Sequence, residues 1–176
     1  MVVGSLSGVS RAQLEVLAAK PGVARLDLAP EDLRPAGGSA ARDDAAARLD
    51  AALSDRAATA VAVTTRAGSE ADPGAGGAAL AAALARLLAP HLARNVGGLV
   101  ATGGETARAL LAAAGVPALR LAGEVEPGVP LGAALGNGPA RGLPVVTKAG
   151  AFGTEATLAR CVEALMALPR AEEEAA

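Results

Sequence analysis

Gly97-Gly98-Leu99-Val100-Ala101-Thr102-Gly103-Gly104-Glu105-Thr106 reads as a strand, a tight turn and the start of a helix. Leu99 to Ala101 is a short apolar run that ends in a glycine pair. Ala107, Leu110, Leu111 and Ala114 then fall on one helical face. A helix that begins so abruptly leaves its first backbone N–H groups unpaired above the end of the strand. Together with the positive end of the helix dipole, they make an anion site. Gly103 and Gly104 carry no Cβ, so a phosphate can approach the backbone closely. The expectation is a phosphate cradle for a nucleotide. A glycine pair at this place also arises for structural reasons alone, and this one is neither a Walker A loop nor a complete G-x-G-x-x-G fingerprint. Thr106 offers a hydroxyl to phosphate or metal, or is an ordinary first-turn residue. Glu105 holds a metal through water, or complements the helix dipole.

Working outward, the chain alternates strand and helix. Val2-Val3 opens a very short strand at a domain boundary, cut off by Gly4-Ser5. Ser7 or Ser10 caps the next helix, with Leu14 and Leu17 on its apolar side, and Pro21-Gly22 stops it. Strands are expected at Val23–Leu28 and over the β-branched run Thr59–Thr65. Arg42 to Arg56 reads as a helix with Leu49 and Leu53 inward. Pro30–Ser39 and Arg66–Gly77 read as loops, the second flexible. Leu80, Leu84, Leu87, Leu88 and Leu92 stripe a long helix in which Pro90 predicts a kink or break. Gly115 caps the glycine-pair helix. Val116–Leu121 is a strand, Glu124–Gly138 an ordered loop and Leu143–Thr147 a strand. Thr154 then caps a helix running to about Leu168, with Glu155 in its first turn.

This alternation predicts a three-layer α/β domain, a mostly parallel sheet with helices on both faces, over residues 1–170. Residues 171–176 form an acidic, frayed tail. In such sheets ligands bind beyond the carboxyl ends of the strands. Three glycine-bearing strand ends, Gly4-Ser5, Gly103-Gly104 and Gly150 with Gly153, are therefore expected along one rim. Lys148, at the last of them, can neutralise phosphate charge.

Composition narrows the function classes. Of 176 residues 52% are hydrophobic but only 1% aromatic, so the core must be built from Ala, Leu and Val. Net charge is −2, with no basic stripe and no stacking platform, which argues against nucleic acid. The single cysteine, Cys161, excludes an intrachain disulfide and reads as a buried thiol among Leu158, Val162 and Leu165. The single histidine, His91, reads as a helix-end surface or packing residue. No leader and no bilayer-length apolar run are read, so a soluble cytoplasmic protein without membrane contact is expected.

Three motifs occur together in order: Gly103-Gly104-Glu105-Thr106, the run from Gly123-Glu124 through Pro127-Gly128 to Pro130-Leu131-Gly132, and Lys148-x-Gly150-x-Phe152-Gly153. With the opening Val3-Gly4-Ser5-Leu6-Ser7, Gln13 and Leu14, they resemble the C-terminal nucleotide-binding domain of the four-carbon acid sugar kinase family. The resemblance covers nearly the whole chain. It implies a kinase that transfers the γ-phosphoryl group of ATP to an acid of the threonate, erythronate or 3-dehydrotetronate type, with Mg²⁺ bridging the phosphates. It further implies ATP contacts at Ser5, Gly103, Gly104, Glu105, Thr106 and Gly150, with Lys148 and Gly153 in the same site. The acid and its base would come from a separate N-terminal domain. Two departures stand out: Glu105 where the family usually has Asp, and Ala149 where it often has Ser.

The alternative is a non-catalytic module of the same fold, binding a nucleotide or phosphometabolite or serving assembly. The sequence leaves room for a homo-oligomer. A nicotinamide-binding Rossmann domain is disfavoured, because no acidic residue ends a strand about 20 residues beyond Gly103.

Overall fold

The computed structural model of the chain describes residues 1–4, 7–33, 38–65, 75–92 and 94–169. Ser5, the loop segments 34–37 and 66–74, and the expected tail 171–176 lie outside the described residues. Seven strands form one sheet: β1 (Val2–Val3), β2 (Val23–Leu28), β3 (Ala60–Thr65), β4 (Leu99–Thr102), β5 (Ala118–Glu126), β6 (Val129–Leu135) and β7 (Pro144–Lys148). The helices are α1 (Gly8–Ala18), α2 (Pro30–Leu33), α3 (Gly38–Ser54), α4 (Ala75–Leu92), α5 (Gly104–Ala113) and α6 (Thr157–Met166).

The spatial order is β2-β3-β1-β4-β7-β6-β5. The first five are parallel to one another, while β6 and β5 continue the sheet antiparallel. Alternation along each strand sends neighbours to opposite faces. Val2, Val63, Leu99, Ala101 and Val145 point into one core with Leu49, Leu84, Leu88 and Leu110 of α3, α4 and α5. Val3, Ala62, Val100 and Val146 point into the other, with Leu14 and Leu17 of α1 and Leu158 and Cys161 of α6. Each fully buried leucine contributes about 1.5–3 kcal/mol relative to exposure. The expected three-layer architecture is thus the observed one.

Four local expectations are corrected. Pro30–Leu33 is a helix, because proline at a first helical position has a suitable φ and no N–H to lose. α4 continues through Pro90 to Leu92 and is not broken there; the proline forgoes the one N–H that would reach back to the Arg86 carbonyl. The segment expected as a loop after Leu121 is mostly a β-hairpin, turning at Pro127-Gly128. Thr154 does not cap α6: the Thr157 hydroxyl accepts the Thr154 N–H at 2.8 Å, Glu155 precedes the helix, and Ala156 stands at the N-cap without a capping side chain.

Candidate functional site

β1 and β4 lie side by side at the centre of the sheet. From β1 the chain turns back through α1 on one face, and from β4 it turns through α5 on the other. The carboxyl ends of these two strands therefore flank a topological switch point, where open α/β sheets bind ligands.

Val3, Thr102 and Lys148 stand in one row of the parallel ladder. The three glycine-bearing corners follow that row directly. Gly4 N–H donates to Thr102 O at 3.2 Å, and Gly103 N–H donates to Lys148 O at 2.9 Å. The described parts of the expected corners do share one rim.

At the middle corner Gly103 is the N-cap of α5, with φ 95°, a conformation that favours glycine. Among the described residues no side chain caps this helix end, and its first intrahelical bond is Ala107 N–H to Gly103 O at 2.9 Å. The N–H groups of Gly104, Glu105 and Thr106 are thus the partnerless groups of a helix start. Gly104 and Glu105 are exposed, and a Cβ on Gly104 would meet nothing within 4 Å. Thr106 is different: it is buried, with its side chain over Gly4.

At the third corner Lys148 is only 3% exposed. Its Nζ donates to the carbonyls of Ala149 (2.7 Å), Gly150 (3.1 Å) and Phe152 (2.8 Å). Burial pulls its ammonium below the ordinary value of 10.5, against the opposing pull of neighbouring negative groups, Glu126 among them. α1 holds the same loop from the other side. Ser7 Oγ and Ser10 Oγ donate to Gly150 O at 2.9 and 2.5 Å, and Gln13 Nε2 donates to Phe152 O and Thr154 O at 2.9 and 2.7 Å. Gly153 has φ 85°, and a Cβ there would sit 2.9 Å from Glu126 Oε1. Glu126 in turn accepts from the Thr157 hydroxyl at 2.6 Å and from Arg160 at 2.9 Å, tying the hairpin to α6.

Sequence reasoning missed Ser7, Ser10 and Gln13 as loop anchors. Their signal was present: polar residues at a spacing of three, on a helix that also carries Leu14 and Leu17 inward. His91 is a packing residue as expected, 15% exposed in its side chain and 3.5 Å from Asp50. Cys161 is fully buried. Among the described residues no group of three or more His, Cys, Asp or Glu is placed to hold a metal ion, and no helix is long and apolar enough to cross a membrane.

The family model described as the nucleotide-binding C-terminal domain matches residues 1–158. A D-threonate kinase of Cupriavidus necator is 47% identical over 159 residues, covering 89% of this chain and 37% of the relative. A D-threonate kinase of Bordetella bronchiseptica is 51% identical over 74 residues, covering 42% of this chain and 18% of that protein. The chain thus spans little more than a third of the length of the first of these. A crystal structure of a domain of unknown function from Bordetella bronchiseptica, a domain-swapped dimer with bound citrate, superposes with a TM-score of 0.81. It is 34% identical, and the match covers 93% of this chain and 40% of that one. A Haemophilus influenzae protein at 19% identity and TM-score 0.68 shares the fold, with 93% of this chain and 39% of that one covered.

Proposed function

This chain belongs to the nucleotide-binding C-terminal domain family of four-carbon acid sugar kinases, and from that premise we propose that it binds ATP with Mg²⁺ at the switch-point rim for phosphoryl transfer to a four-carbon sugar acid. The observation that carries the reading is the uncapped start of α5, open at Gly104, lying one strand from the Lys148–Gly153 loop. Phosphoryl transfer asks for positioning and charge neutralisation more than covalent help. Backbone N–H groups at Gly104, Glu105 and Thr106 would hold phosphate oxygens. Gly150 and Gly153 would line the other wall. Ser5 would extend the first corner. Glu105 would offer Mg²⁺ a carboxylate, directly or through water; Mg²⁺ commonly rides on substrate phosphates with one or two carboxylates, not in an all-protein cage.

The acid, with the group that takes its hydroxyl proton, would sit in the part of the longer relatives that this chain does not span. The chain would then be the ATP-binding half of a two-domain kinase.

The test is titration calorimetry of the chain with ATP·Mg²⁺, ADP and NAD. Binding of the first two without NAD supports the reading; NAD binding, or none at all, overturns it. ADP release with threonate or erythronate, after adding an acid-binding domain from a relative, separates a kinase half from a non-catalytic module.

A further inference from the structure

We propose that Lys148 is a positioning residue: it draws carbonyl oxygens of its own loop inward and so turns the N–H groups of Gly150, Ala151 and Gly153 outward to receive phosphate oxygens. The inference rests on the nucleotide reading above and changes the part this lysine plays in it.

The argument starts from the peptide unit. In a trans peptide the carbonyl of one residue and the N–H of the next point in opposite directions, and no cis bond occurs among the described residues. The oxygens of Ala149, Gly150 and Phe152 all converge on Lys148 Nζ, which is buried. The following N–H groups, those of Gly150, Ala151 and Gly153, must therefore face away from it. Away from it is solvent: Ala151 and Gly153 are exposed and Gly150 is half-buried.

An ammonium has three protons, and all three point at loop carbonyls. To touch a phosphate, Lys148 would have to release one of them. Gln13 and Ser10, both fully buried, repeat the pattern from α1 by donating to Phe152 O, Thr154 O and Gly150 O. Neutral and charged donors thus serve one purpose. The donors that Lys148, Ser7, Ser10 and Gln13 bring to this loop all hold carbonyls, and the N–H groups of Gly150, Ala151 and Gly153 are left to the outer surface. Those N–H groups supply the partial positive charge an anion needs, beside the Glu126 carboxylate that lies against Gly153 and is paired with Arg160.

Two variants of the whole chain test this by amide NMR without nucleotide and by ADP calorimetry. Lys148→Met keeps an unbranched side chain one atom shorter and removes its donors. Gln13→Met removes a neutral donor on α1, inside the fold. We expect each to displace the amide resonances of Gly150, Ala151 and Gly153, leaving Gly103–Thr106 unmoved. Each should also weaken ADP at least fivefold, and the double variant should lose less than the product of the two.

Unmoved loop amides in Lys148→Met, or parental ADP affinity in Gln13→Met, would overturn the proposal, since a lysine that binds phosphate directly predicts both. Should Lys148→Met fail to fold, Gln13→Met carries the test alone. Should the parent chain bind no ADP, the nucleotide reading falls, while the amide shifts still decide whether Lys148 sets the loop.

Discussion

Gly4 lies directly beneath Thr106: a Cβ added to Gly4 would collide with Thr106 Oγ1 and stand 2.7 Å from its Cβ. The glycine that ends β1 is thus required by a neighbouring helix, whatever ligand the rim holds. The first turn of α5 can settle over the end of β1 only because nothing projects there. The contact fixes how closely the two switch-point strands carry their helices.

Gly4→Ala should therefore destabilise the chain by about 1–3 kcal/mol, the usual cost of forcing atoms into a packed site. Thr106→Ala in the same chain should recover part of that loss by removing Oγ1 and Cγ2. Urea denaturation of the single and double variants measures both. An unchanged midpoint for Gly4→Ala would show that α5 shifts freely.

Gly104 predicts the opposite balance. Its added Cβ would face open space, so Gly104→Val should change stability by no more than about 0.5 kcal/mol, as exposed substitutions do. On the proposed reading the branched side chain would stand where a phosphate reaches the helix start, and ADP affinity should fall at least tenfold. Thermal denaturation and calorimetry on one sample decide it. A stable variant with parental affinity would remove the α5 start from the site.

Glu126 makes the fold sensitive to acid. The hydrogen bond from Thr157 holds its carboxyl below the ordinary 4.5, and Arg160 adds to the effect against a burial cost. A lowered carboxylate stabilises the folded chain above its unfolded value and loses that contribution as pH falls through the folded value. Glu126→Gln should thus be less stable than the parent at neutral pH, and the difference should shrink steadily below pH 4.5. Denaturant midpoints across an acid series follow it; a constant difference would mean that charge plays no part.

Cys161 should be chemically silent. It is fully buried, and burial, with Glu126 adding to it, pushes its thiol up to about 11. Because the thiolate is the reactive form, a thiol reagent at neutral pH should leave the native chain unlabelled and label it fully in denaturant. Fast native labelling would show that α6 opens.

The order of elements, the two-sided core and the three corners were legible in the sequence because they rest on local pattern. Val2-Val3, Val61 to Val63, Leu99 to Ala101 and Val145-Val146 are continuous apolar runs, as strands covered on both faces must be. Helices α1, α3, α4 and α5 follow from leucine and alanine spacing. The β5–β6 hairpin was hidden by its own punctuation. Pro130 and Gly132 lie inside β6, where the register with β5 shifts, and a Cβ on Gly132 would come within 2.6 Å of Arg120 O. Those residues break a strand signal read locally and satisfy a close approach that only pairing creates.

The sequence by itself determined that this is an alternating α/β chain with glycine-rich strand ends and one lysine beside the last of them. It also carried the motifs by which the family could be named. Only the tertiary structure decided that Gly4 serves Thr106, that Lys148 turns inward to its own loop, and that Ser7, Ser10 and Gln13 meet that loop from 139 to 143 residues away. Spacing along a chain reports which face of an element a side chain occupies. It does not report which distant carbonyl a buried donor must satisfy, because that is settled by how the layers close on one another.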